Sequence, residues 1–169
     1  LAGECHIDGF VARTIADTPA DFISLKLGIN VVNGDSMRER SFIPAAHNFL
    51  DTIREKKPNT PILIISPIVC PFHEVNPGPS LIGDAGFTSM ERPTPLAAGA
   101  LNLPKIRAIL EKIVAEREDA HLYFMSGLEL FNEGDLGMAP DLLHPNSAGY
   151  RLMGERFATK QKDFISRVV

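Results

Sequence analysis

The chain has 169 residues, enough for one domain with a buried core, and its 44% hydrophobic and 22% charged residues are ordinary for a soluble globular protein. A net charge of −4 gives no reason to expect nucleic acid or an anionic membrane as partner. Two cysteines, Cys5 and Cys70, are too few for a disulfide scaffold. The longest apolar run, Pro61 to Phe72, is broken by Pro67 and Pro71, so no segment is expected to span a membrane. Leu1 begins mid-pattern, and the compartment, cytoplasmic or secreted, stays open.

Apolar and amphipathic runs alternate along the chain. DGFVARTIADTP carries Phe10, Val11 and Ile15 at helical spacing and stops at Pro19. DFISLKLGIN reads as a strand ended by Gly28. SFIPAAHNFLDTIREKK places Phe42, Ala46, Phe49, Leu50 and Ile53 on one helical face and closes on basic residues and Pro58. PILIISPI is almost wholly apolar, as in a parallel strand buried on both faces. Residues 69 to 99 hold Pro71, Pro77, Pro79, Pro93 and Pro95 among several glycines, and read as one long loop. LPKIRAILEKIVAERED is a helix with Ile106, Ile109, Leu110 and Ile113 as its stripe. HLYFMSG is a last strand, and a last helix starts at an Asn146 or Ser147 cap. Strands near 21–28, 61–67 and 121–125, separated by crossover helices, predict an α/β fold: a parallel sheet between two helix layers. Ligands in such sheets sit beyond the carboxyl ends of the strands, so the chemistry is sought there and at the start of the last helix.

Asp141 and His144 stand three residues apart in a turn that delivers the chain into that helix. The spacing lets a carboxylate hold the imidazole Nδ1–H and leave Nε2 free to take a proton. Pro145 stiffens the turn and removes a backbone donor that a helix start leaves unpaired in any case. DLLHPNSAGYRLMGERF resembles the last block of the SGNH (GDSL-like) hydrolases, a lipase and esterase family whose Asp-x-x-His supplies two members of a catalytic triad. LKLGIN resembles their Gly-x-Asn-Asp block, with Val31 where the Asp usually stands, and LAGECHIDG resembles the block with a glycine after a strand. The resemblance implies a flavodoxin-like α/β/α fold, Asp141 and His144 as catalytic residues, and Asn30 and the Gly3 N–H as oxyanion donors. It implies a carboxylic ester hydrolase working through a Ser-Asp-His acyl-enzyme on a small acyl ester such as an acetylated carbohydrate. No cofactor and no metal is required.

The nucleophile is the open question. Asn33-Gly34-Asp35-Ser36 contains the Gly-Asp-Ser triplet, yet in the family the serine precedes Gly-x-Asn, whereas Ser36 follows Asn30. Ser36 is therefore disfavoured, and the stretch reads as a polar turn with Ser36 or Asp35 near a helix cap. The family sheet runs 2-1-3-4-5, so the nucleophile-bearing strand and most of the second strand are expected upstream of Leu1. The 1–169 chain is then the C-terminal portion of a larger domain, inactive by itself and prone to associate with the missing segment or with itself.

Other residues carry less. Cys5-His6 and Cys70-x-x-His73 admit a zinc site, a disulfide or two free buried thiols. Within the long loop, Phe72, Phe87 and Met90 are expected to line an acyl or alcohol pocket. The competing function is a non-catalytic binding or interaction domain on the same sheet.

Overall fold

The β-branched runs become the centre of the molecule because they bury apolar side chains on both faces of a pleated ribbon. The structure is a computed structural model and describes residues 3–84 and 86–168. In chain order the elements are α1 (Gly9–Asp17), β1 (Ile23–Lys26), α2 (Ile29–Asn33), α3 (Glu39–Arg54), β2 (Ile62–Ile65), α4 (Pro71–Val75), β3 (Leu81–Gly83), β4 (Gly86–Thr88), α5 (Thr94–Ala97), α6 (Leu103–Glu116), β5 (Leu122–Met125) and α7 (Ser147–Val168). Two 3-10 turns, Gly127–Glu129 and Glu133–Met138, lie between β5 and α7.

The main sheet is parallel and ordered β1-β2-β5, with Ile62 of β2 opposite Ile23 on one side and Leu122 on the other. All four residues of β2 are buried. Ile62 and Ile64 face a cluster built with Ala12 of α1, Phe42 and Ile53 of α3, and Ile106 and Leu110 of α6. Leu63 and Ile65 face a second cluster with Met125, Leu130, Phe131 and, from α7, Met153 and Phe157. A sheet covered on both faces is the three-layer α/β/α architecture. Each fully buried Ile or Leu of β2 contributes roughly 1.5–3 kcal/mol. At the amino ends of the strands, Arg54 of α3 donates to Asp119 and to the carbonyls of Thr60 and His121, which fixes where β2 and β5 begin.

The helical stripe of α3 is buried as its spacing predicts, with Phe42, Ala46, Phe49, Leu50 and Ile53 inside. Three expectations are corrected. Phe10 is 55% exposed, whereas Val11 and Ile15 of the same stripe pack against the core beside the buried Ala12 and Ala16. Neither Asp35 nor Ser36 caps α3: the helix begins at Glu39, and the Ser41 hydroxyl accepts the Arg38 N–H. Residues 69 to 99 are not a structureless loop but hold α4, α5 and an antiparallel β3–β4 hairpin. Arg107 of α6 binds Glu74 of α4 through both forks (2.6 and 2.7 Å) and donates to the carbonyls of Pro67 and Ile68. The start of that segment is thereby pinned to the end of β2.

Phe42 is fully buried between α3 and the sheet. Phe42→Ala should lower stability by about 3–5 kcal/mol, seen as a lower urea midpoint at unchanged m-value.

Candidate active site

The Asp141–His144 turn is built by one carboxylate. Its Oδ1 accepts the backbone N–H groups of Leu143 (3.0 Å) and His144 (2.7 Å), and Oδ2 accepts the His144 Nδ1–H at 2.7 Å. Leu142 takes a positive φ of 62°, which tightens the bend. With its proton held on Nδ1, the ring presents a lone pair at Nε2, the form a general base needs. Burial pushes the Asp141 carboxyl upward, but the His144 N–H, the imidazole and the Leu143 N–H outweigh it and hold the group at about 2, down from the usual 3.8. Pro145 follows, and Asn146 then caps α7 by accepting the Gly149 N–H at 3.0 Å; of the two candidate caps it is Asn146 that acts.

Asn30 is set by the exit from β1. Gly28 has φ 111°, and a Cβ there would lie 2.4 Å from Ile106 Cγ2 and 3.2 Å from Pro67 Cγ, so only glycine lets the chain turn into α2 at this point. Asn30 lies in the first turn of α2, and its Oδ1 accepts the Cys5 N–H at 3.2 Å. A backbone donor can face only the oxygen of a carboxamide, so the Nδ2 donor is left unengaged by that bond. Gly3, Asn30 and His144 line a common cleft of about 240 Å³, together with Lys26, Cys70 and Tyr150. Gly3 has φ 73° and open space where a side chain would be. Leu1 and Ala2 of the same stretch lie outside the described residues.

Ser36 lies elsewhere. Its hydroxyl is 2.8 Å from His6 Nδ1, and His6 Nε2 is 3.2 Å from Glu4 Oε2. The outline is that of a serine–histidine–carboxylate relay, and nothing in the sequence signals it because the partners are 30 residues apart. The Ser36 N–H is already donated to the Val31 carbonyl, so it cannot serve a developing oxyanion. Among the described residues, neither Ser36 nor any other serine lines the cleft.

The cysteines are free, Cys5 exposed and Cys70 buried. Burial pushes the Cys70 thiol up to about 12, an inert group. Among the described residues no group of three His, Cys, Asp or Glu is placed to hold a metal ion. His73 is instead a buried joint, with Nδ1 at 3.2 Å from the Asn76 carbonyl and Nε2 at 2.8 Å from the Ser80 hydroxyl. Burial pushes its pKa down, which keeps it neutral. Phe72 and Phe87 pack on the core and do not line the cleft, and Met90 is 62% exposed. Phe87 meets the His144 ring edge-to-face, centroids 5.7 Å apart.

No protein-family model and no curated protein matches the sequence. Solved structures do. A salicylyl-acyltransferase, SsfX3, from a tetracycline biosynthetic pathway aligns over 95% of this chain with a TM-score of 0.72 and 22% identity. A GDSL-like lipase of Bacteroides ovatus ATCC 8483 aligns over 98% with a TM-score of 0.62 and 20% identity, and a carbohydrate esterase family 3 protein of Talaromyces cellulolyticus over 100% with 0.65 and 15%. The chain spans 42% of the first of these proteins, 41% of the second and 70% of the third. The fold is that of the SGNH (GDSL-like) hydrolases, a flavodoxin-like α/β/α sandwich.

The carboxylate turn is directly observable. Because the folded carboxyl sits at about 2 rather than 3.8, its stabilising bonds are complete above the unfolded value and lost as pH falls through the folded one. The Leu143 and His144 amide resonances should therefore titrate with a midpoint of about 2, and Asp141→Asn should abolish that titration.

Proposed function

We propose that this chain carries the acid–base pair and oxyanion donors of an SGNH-type serine ester hydrolase, acting on a small acyl ester such as an acetylated carbohydrate. The observation that carries the reading is the cleft shared by Asn30 and His144, with the imidazole Nδ1 held 2.7 Å from Asp141. Solved structures of the same fold include a peptidoglycan O-acetylesterase, with a TM-score of 0.63 and 18% identity.

The nucleophile in this reading is a serine on a segment preceding Leu1. No serine lines the cleft, and β1 pairs only with β2 among the described residues, leaving an edge free for another strand. The serine Oγ attacks the ester carbonyl while His144 Nε2 takes its proton. Asp141 keeps the ring oriented and stabilises the imidazolium. The oxyanion is held by Asn30 Nδ2, the Gly3 N–H and the nucleophile's own N–H. His144 returns its proton to the departing alkoxide, and an acyl-enzyme remains. Water then repeats the sequence and releases the acid; an alcohol in its place would give acyl transfer.

The test uses the protein with its native upstream sequence and short-chain nitrophenyl esters. His144→Ala should lower kcat by about 10⁴–10⁶-fold with the fold intact, and hydrolysis at the wild-type rate would remove His144 from the mechanism. Asn30→Asp keeps the acceptor for the Cys5 N–H and deletes the donor, so kcat should fall by about 10²–10³-fold with little loss of stability. Absence of hydrolysis in the whole protein would favour a binding domain instead.

A further inference from the structure

A hydrogen bond fixes one atom of an imidazole; it does not fix the plane. The His144 side chain is 60% exposed, so Asp141 alone leaves the ring free to swing about its broad terminal torsion. The second constraint comes from an element the sequence reads as loop. Phe87 of β4 packs against the His144 ring at a centroid distance of 5.7 Å and an interplanar angle of 69°. Gly86 beside it has φ 119°, and a Cβ there would lie 3.5 Å from Asp141 Cα, so the hairpin rests on the backbone of the turn itself.

The hairpin is held firmly enough to act as a stop. At one foot, the Ser80 N–H donates to the Asn33 carbonyl (2.9 Å), and the Ser80 hydroxyl meets Asn33 Oδ1 (3.1 Å) and buried His73 (2.8 Å). At the other, the Ser89 hydroxyl donates to the Phe72 carbonyl (2.8 Å), and Arg92 donates to Asp35 at 2.6 Å. Asn33 ends α2, the helix that bears Asn30. The hairpin therefore spans from the amide-bearing helix to the imidazole-bearing turn.

We propose that Phe87 is a positioning residue for His144, setting the plane of the ring so that Nε2 faces the cleft. This rests on the reading of His144 as the general base. Edge-to-face pairs of this kind correspond to about a two- to tenfold effect on rate.

The experiment compares wild type, Phe87→Leu, Phe87→Tyr and Ile82→Ser. Ile82 is the cross-strand partner of Phe87 and is 89% exposed, so it controls for disturbance of the hairpin. By NMR, wild type should show cross-relaxation between the Phe87 and His144 rings. Phe87→Leu should displace the His144 carbon-bound ring protons by loss of the aromatic ring current, whereas Phe87→Tyr and Ile82→Ser should leave them in place. In the whole protein, Phe87→Leu should lower kcat about two- to tenfold at unchanged KM, and Tyr should restore it. The proposal is overturned if the wild-type rings show no cross-relaxation, if Leu matches wild type in kcat, or if Ile82→Ser causes the same loss. The ring signals need no substrate, so they test the contact even where hydrolysis is absent and the esterase reading itself has failed.

Discussion

One carboxylate accepting three hydrogen bonds inside four residues is the constraint on which the site depends. Asp141 uses one oxygen to fold the backbone and the other to hold the imidazole, so the turn and the tautomer are set together. The two jobs reinforce each other. A backbone that relaxed would withdraw the amide donors, and the carboxylate would then be free to rotate off the ring. The favourable charge state of the carboxyl follows from these donors, since they overcome the cost of its partial burial.

Asn30 is organised by a similar economy. Its amide oxygen is engaged by the Cys5 N–H, which orients the remaining donor without any contribution from substrate. In the proposed reaction a preorganised donor of this sort acts on the developing charge without having to turn toward it first. The parallel sheet brings the two halves together. β1 and β2 run the same way, so the exit of one strand, the segment after the other and the entry to α7 all reach a single edge.

Much of this was legible in the sequence, and the legible parts share a physical character. Ile62–Ile65 reads as a doubly buried strand because burial on both faces requires an unbroken apolar run. The α3 stripe reads correctly because its five apolar positions are all buried in one core cluster. Asp-x-x-His is local, so spacing alone carries its geometry. What stayed hidden depends on distant partners. The hairpin within 69–99 is made of three-residue strands, too short for periodicity, and it is fastened by Ser80 to Asn33 and by Arg92 to Asp35. The His6–Ser36 contact joins two polar residues whose proximity only the fold creates. Phe10 misled for the opposite reason: helical spacing identifies a stripe, but here Val11 and Ile15 pack against the core while Phe10 stays exposed.

The contact behind Gly28 has a consequence that reaches beyond the strand exit. Ile106 belongs to α6, which contributes no side chain to the cleft, yet its methyl group occupies the space any larger residue at position 28 would need. The helix is thus a backstop for the peptide that carries Asn30. Enlarging residue 106 would press on the peptide that leads to Asn30, whereas trimming it would not release position 28, because a φ of 111° and the neighbouring Pro67 ring still hold that position to glycine.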